Sequence, residues 1–266
     1  MEWRTVLTHT DKNVFVITLD DERRRNALFA DTCRDLIAAI DTAESDESVR
    51  VLVIIGEGSA FCAGADLQDL LAAADGDTAN VDLVYDAFGR VADSALVTVA
   101  GINGPAVGAG LNLALACDLR IATSHASFES RFLDLGIHPG GGHTWMLERA
   151  LGSTVAVEML LFGRRLDAQR AHQLGFVSEV CAPQTLRATA MSWAHRAGRY
   201  PRAVVGPTKD SLRVVHGWES RGAALAHETA RQRESLATDH AKSRLDAVQA
   251  AISTTAPAGL KLNGAS

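Results

Sequence analysis

Residues Asn103 to Trp145 read NGPAVGAGLNLALACDLRIATSHASFESRFLDLGIHPGGGHTW, and the order of segments within them decides the fold. Small residues crowd Gly104–Gly110, and an apolar helix, LNLALAC, opens directly behind them. DLRIAT then reads as a strand, and a second glycine run, PGGG, comes just before His143 and the next helix. A helix start carries unpaired main-chain N–H groups, and small residues there let a ligand reach them.

Upstream, the same layout occurs once more. VRVLVIIG (Val49–Gly56) is a nearly continuous β-branched run, as expected of a strand covered on both faces. The loop EGSAFCAGADL follows it, then a helix with Leu67, Leu70 and Leu71 on one side. The second copy of this strand–loop–helix unit starts at the strand LVTVAGI (Leu96–Ile102) and runs through the glycine turn to Leu113. Further elements are a strand VFVITL (Val14–Leu19), a polar turn RRRNAL (Arg23–Leu28), a helix over Leu28–Glu44 and another around Val81–Ala92. Helices are expected over most of Thr144–Gly175, with a short strand FVSEV (Phe176–Val180) behind them. From Pro183 onward only helices are expected, so the natural division lies near Tyr200–Pro201: a core over 1–200 and a helical region over 201–266. The segment HETARQRESLATDHAKSRLDAVQAAI is charged and amphipathic, as suits a surface or subunit-docking helix. The tail from Ser253 is expected to be disordered.

The chain has 266 residues, 47% of them hydrophobic and 22% charged, the profile of an ordinary globular protein. A net charge of −6 argues against a nucleic-acid partner, which calls for a basic face. The N-terminus has no basic segment leading into an apolar run, and no stretch reaches the roughly 18–20 apolar residues of a membrane span, so a cytoplasmic protein is expected. Cys33, Cys62, Cys117 and Cys181 show no paired spacing and read as buried free thiols. No H-E-x-x-H or paired-cysteine motif points to a metal. A dinucleotide fingerprint fails because Leu113 stands where its third glycine is needed, and a phosphate-binding P-loop fails because Leu111 follows Gly110. No G-x-S-x-G supports a serine nucleophile elbow.

What the two loops can do follows from their main chain. AGAD offers the N–H of Ala65 and GAGL that of Ala109. Two such donors aimed at one point would hold a carbonyl oxygen that gains negative charge, and each donor in such a hole is worth ~3–4 kcal/mol in the transition state.

RRRNAL, SAFCAGADL, NGPAVGAGLNLALACDLRIA and FLDLGIHPGGGHTW, in this order and spacing, resemble the crotonase (enoyl-CoA hydratase/isomerase) superfamily over roughly Val14–Val180. The resemblance implies an α/β fold built as a spiral of ββα turns, with a helical C-terminal region that mediates trimer contacts, often in a dimer of trimers. It implies an acyl-CoA substrate, with coenzyme A entering as part of the thioester and no separate cofactor. It places the oxyanion-hole amides at Ala65 and Ala109. Ala63, Ala65, Asp66 and Leu67 match the strip along the coenzyme, and Arg24, Arg25, Ala27 and Leu28 match the turn on its other side. The guanidinium groups of Arg23, Arg24 and Arg25 also suit phosphate oxygens.

The chain departs from its family's pattern at the groups that move protons. Asn112 and Phe132 stand where the hydratases carry their two glutamates, and Gly140 stands where some isomerase-like relatives place an acid. Hydration needs one group to activate water and another to protonate carbon; neither asparagine nor phenylalanine does either. The remaining candidates nearby are Glu129, Asp134, His138 and His143, of which the histidines have the more suitable pKa. The resemblance thus points to hydratase-like enolate chemistry run by replacement groups, with isomerase-type chemistry or non-catalytic acyl-CoA binding as alternatives. Trp145 is expected to anchor the helix that starts at Thr144.

Overall fold

The computed structural model describes residues 5–214, 217 and 220–255. They form two compact units that meet between Arg202 and Ala203.

The first unit is a mixed α/β structure built on a six-stranded sheet. In chain order its elements are β1 (Val6–Asp11), β2 (Val14–Leu19), α1 (Ala30–Ser45), β3 (Val51–Gly56), α2 (Leu67–Ala74), α3 (Ala79–Ala92), β4 (Val97–Ile102), β5 (Pro105–Val107), α4 (Ala109–Ala116), β6 (Leu119–Thr123), β7 (Ser127–Glu129), α5 (His143–Leu161), β8 (Leu166–Asp167), α6 (Ala168–Gln173), β9 (Glu179–Cys181) and α7 (Leu186–Ala197). The large sheet has the order β1-β2-β3-β4-β6-β9; β1 and β2 pair antiparallel and the other neighbours parallel. A second, three-stranded sheet has the order β5-β7-β8.

The alternation of side chains along each strand divides the interior in two. Phe15, Ile17, Leu19, Leu52, Ile54, Ala100 and Ile102 point to the larger core, which α1, α3 and α4 cover. Val14, Val16, Val51, Val53, Ile55 and Val99 point to the opposite face, where α7 lays Leu186, Ala190 and Ala194. This is why β2 and β3 are buried at every position and why their sequences show no polar alternation.

Three boundaries differ from expectation. β1 carries Thr8, His9 and Thr10 on a largely exposed edge, so it lacks an apolar signature. The strand expected over Phe176–Val180 begins only at Glu179. Phe176 and Val177 instead form a buried turn whose amides bond back to the Ala171 carbonyl. Trp145 does not anchor α5 in the core: it is 62% exposed, with the Arg149 guanidinium 4.6 Å from its ring centre. The buried contact of that helix start is made by His143 and Leu147 instead.

Cys33, Cys62 and Cys117 are buried free thiols and Cys181 is half-buried. Burial pushes Cys33 and Cys62 up to about 12, so both stay protonated and inert.

The second unit contains the rest of α8 (Arg202–Val214), α9 (Arg221–Leu236) and α10 (Asp239–Thr255). Ser220 caps α9 by accepting from the Ala223 amide. Of the tail expected to be disordered, residues 253–255 end α10 and residues 256–266 lie outside the described residues. Among the described residues, no helix is long and apolar enough to cross a membrane.

Candidate active site

The site is assembled where two strand–loop–helix units lie side by side. The chain leaving β3 runs through residues 57–66 into α2, and the chain leaving β4 runs through β5 into α4. The two loops are stitched together by main-chain bonds: Phe61 N–H to Pro105 O at 3.1 Å and Val107 N–H to Cys62 O at 3.0 Å. Asn26, fully buried, ties in the polar turn. Its Nδ2 donates to the carbonyls of Glu57 and Ala60, both at 2.9 Å, while its Oδ1 accepts from the Asp21 amide. The sequence reading passed over Asn26 as one member of the turn; its role depends on a partner loop that only folding brings near.

Each oxyanion candidate directly follows a glycine with positive φ: Gly64 (φ +105°) before Ala65 and Gly108 (φ +52°) before Ala109. Those conformations turn the next amide away from its own loop, and a β-carbon would oppose them. A side-chain carbon placed on Gly64 would lie 2.8 Å from the Val107 carbonyl oxygen and 3.8 Å from the Ala109 amide nitrogen. The two loops are therefore in contact at this point. Ala65 and Ala109 both line one cavity of about 320 Å³, and neither N–H has a hydrogen-bond partner among the described residues. Ala109 is the first residue of α4, so its amide also carries the positive end of that helix. At the other end of α4 the half-buried Arg120 guanidinium donates to the Cys117 carbonyl at 2.7 Å, complementing the dipole.

The expected coenzyme segments run together. Leu28 N–H donates to Gly64 O at 2.8 Å and Ala63 N–H to Arg25 O at 3.0 Å, so the turn Arg24–Leu28 lies along the strip Ala63–Leu67. Ala63, Ala65 and Leu67 line the cavity; Asp66 directly precedes α2 and is half-buried; Ala27 and Leu28, at the end of the turn, are buried. Arg23, Arg24 and Arg25 are exposed; Arg24 pairs with Asp21 and lies 3.9 Å over the Phe29 ring.

The proton-moving candidates separate sharply. Asp134 does not line the cavity. It is exposed, on the short 3-10 turn after Phe132, where Arg131 lies 3.7 Å away. That turn carries it away from the position of the family's glutamate. His138 sits on the cavity wall but is exposed, and its Nδ1 donates to its neighbour's carbonyl, Pro139 O, at 2.8 Å. Glu129 faces Arg165 and Arg131. His143 is fully buried and does not line the cavity, so it cannot meet a ligand directly. Burial pushes its imidazole down to about 4. The Phe132 ring packs against it at a tilt of 56°, ring centres 4.8 Å apart, and forms the cavity wall in its place.

Asn112 does line the cavity, but its amide is committed to the protein. Nδ2 donates to Gly140 O at 3.2 Å and Oδ1 accepts from His143. One N–H of Nδ2 and one lone pair of Oδ1 are thereby used within the protein. The other face of His143 meets Ser130, whose hydroxyl lies 2.7 Å from Nε2 and which itself lines the cavity. Nothing in the sequence marks Ser130, because its partner His143 lies 13 residues away and meets it only in the fold. The rest of the wall combines apolar side chains, Leu70, Val81, Val84, Leu135 and Ile137, with Tyr85 and Arg131.

The family model for enoyl-CoA hydratase/isomerase matches residues 9–251 of this chain. The chain belongs to the enoyl-CoA hydratase/isomerase family. Among relatives, a probable enoyl-CoA hydratase EchA14 of Mycobacterium tuberculosis is 45% identical over 216 residues, covering 80% of this chain and 83% of that protein. The 1,2-epoxyphenylacetyl-CoA isomerase of Escherichia coli is 32% identical over 212 residues, covering 78% and 81%. Among solved structures, an enoyl-CoA hydratase from Polaromonas sp. JS666 superposes with a TM-score of 0.86 at 28% identity, over 92% of this chain and 96% of that one. The enoyl-CoA hydratase/isomerase fold, with its helical C-terminal region, is the architecture described above.

Proposed function

We propose that the protein is an acyl-CoA enzyme that stabilises the enolate of a bound thioester, with isomerase-type rather than hydratase chemistry. One observation carries this reading: Ala65 and Ala109, whose amides have no hydrogen-bond partner among the described residues, line the same cavity. A thioester oxygen seated between them accepts two hydrogen bonds that strengthen as charge moves onto it. Coenzyme A lies along the surface that the Ala63–Leu67 strip and the Arg24–Leu28 turn form together, with the exposed arginines toward its phosphates, and the acyl chain enters the pocket. The apolar part of the lining, Leu70, Val81, Val84 and Ile137, favours a hydrocarbon segment in the acyl chain. As in the family's usual assembly, the C-terminal helices join chains into trimers or dimers of trimers.

Hydration is disfavoured by the two substituted positions. Phe132 cannot hold a proton, and Asn112 has its amide engaged at both ends. Isomerisation needs only one group that takes a proton from one carbon and returns it to another. With a 3-enoyl-CoA, conjugated-thioester absorbance is expected to rise; with crotonyl-CoA and a longer 2-enoyl-CoA, no loss above that of the Ala109→Pro variant is expected. Rapid loss of crotonyl-CoA absorbance contradicts the isomerase assignment. The residues that replace both glutamates, Asn112 and Phe132, also support a second reading, a binder that delivers or senses acyl-CoA. Tight calorimetric binding of a saturated acyl-CoA, with no turnover of any thioester, selects that reading.

A further inference from the structure

We propose that Ser130, His143 and Asn112 form a proton relay, in which the Ser130 hydroxyl is the group that exchanges a proton with the bound acyl chain. The inference rests on the enolate reading above and supplies the acid/base group it lacks.

The direction of every hydrogen bond in the relay is fixed by its neighbours. Asn112 Nδ2 donates to Gly140 O, which turns Oδ1 toward His143. An amide oxygen only accepts, so His143 Nδ1 carries the hydrogen. The imidazole is neutral near pH 7, because its pKa is held down at about 4. Its Nε2 therefore presents a lone pair, and the Ser130 hydroxyl, 2.7 Å away, donates to it. Ser130 keeps its oxygen lone pairs for whatever occupies the cavity it lines.

The placement is also fixed. β5 pairs with β7 in parallel register, Val107 opposite Glu129, and Gly108 N–H donates to Glu129 O at 2.9 Å. One residue further along, Ser130 therefore flanks Gly108, directly before the Ala109 amide. Ser130 and Ala109 thus follow directly on from two adjacent strands, β7 and β5, and both line the cavity.

The step balances within these groups. A carbon-bound proton next to the thioester, or in conjugation with it, passes to Ser130 Oγ while the hydroxyl proton passes to His143 Nε2. The C–H electron pair moves onto the thioester oxygen, where the amides of Ala65 and Ala109 hold it. The imidazolium then returns its proton to Ser130 as Ser130 gives one back to carbon, at the original carbon or at another. No co-reactant is consumed. An imidazole near 4 has the basicity of an ordinary glutamate carboxylate, whose reference pKa is about 4.3. His143 is separated from the cavity by Phe132, Asn112 and Ser130, and of these only the Ser130 hydroxyl can pass a proton to Nε2. Asn112 is a positioning residue: it fixes the tautomer.

The test follows hexanoyl-CoA in deuterium oxide by mass spectrometry, reading deuterium gained at the carbon next to the thioester, with binding measured by calorimetry. The wild-type protein is expected to exchange. Ser130→Ala and His143→Gln are each expected to lose about 100-fold or more in exchange rate while binding hexanoyl-CoA nearly as tightly. Exchange unchanged in Ser130→Ala, but lost in Ala109→Pro, overturns the relay and leaves the enolate reading standing. Binding without exchange in the wild type overturns both. Release of free coenzyme A with an acyl group left on Ser130 shows attack at the carbonyl carbon and overturns the proton-transfer role.

Discussion

Ala109→Pro is expected to lower turnover of the proposed enzyme about 100- to 1,000-fold, as removal of one oxyanion-hole donor does elsewhere. The substitution is selective. Ala109 is the first residue of α4, a position that suits proline because its missing N–H has no helical partner and its φ is already helical. The amide it removes bonds to nothing within the described residues, so no internal hydrogen bond is lost. The loss should fall on kcat, with affinity for acyl-CoA little changed, because the bond to the oxygen strengthens only as charge develops on it. Full activity in Ala109→Pro, at unchanged melting temperature, would show that this amide holds no reacting oxygen.

The second large effect is on stability in acid. His143 is buried neutral, at about 4 in the native protein against 6.5 for an unperturbed histidine. Between these two values the unfolded chain holds a proton that the folded chain does not, so stability falls as pH drops through this window and is fully present above it. The gap amounts to about 3 kcal/mol, complete once the pH reaches the lower value. Carboxylates titrate in part of the same range, so the comparison is between wild type and His143→Gln, each unfolded in urea at several pH values. The wild-type curve is expected to lose about 3 kcal/mol more than the variant between pH 7 and pH 4. Parallel curves would place His143 in contact with solvent and remove the physical basis for its role behind Ser130.

Much of the first unit could be read from residue patterns because burial there is simple. β2 and β3 are buried on both faces, and their unbroken β-branched runs say so. Likewise α1 and α3 each lay a helical stripe of apolar residues on the larger core. What escaped was set by partners distant in sequence. β5, β7 and β8 are two or three residues long and exist only because three loops pair with one another; no periodicity marks so short a strand. β1 is a polar edge that takes its register from β2.

The same division holds at the candidate site. The amides of Ala65 and Ala109 were visible because their chemistry belongs to the main chain and is announced by the glycines before them. Side-chain chemistry was visible only as a set of absences, at Asn112, Phe132 and Gly140. His143 drew notice for its pKa, yet nothing in the sequence could show that Phe132 covers it, or that its two nitrogens meet Asn112 and Ser130, 31 and 13 residues away. Asp134, two residues from a familiar position, attracted a role by proximity in sequence, but a single 3-10 turn carries it to the surface.

The claim beneath all of this is that two main-chain amides grip one thioester oxygen, and infrared difference spectroscopy with carbonyl-¹³C hexanoyl-CoA reads that grip directly. Binding to the wild-type protein is predicted to move the thioester carbonyl stretch below its value in water, and Ala109→Pro to lose part of that shift. A bound ligand whose carbonyl still vibrates at the frequency of the free thioester would contradict the account.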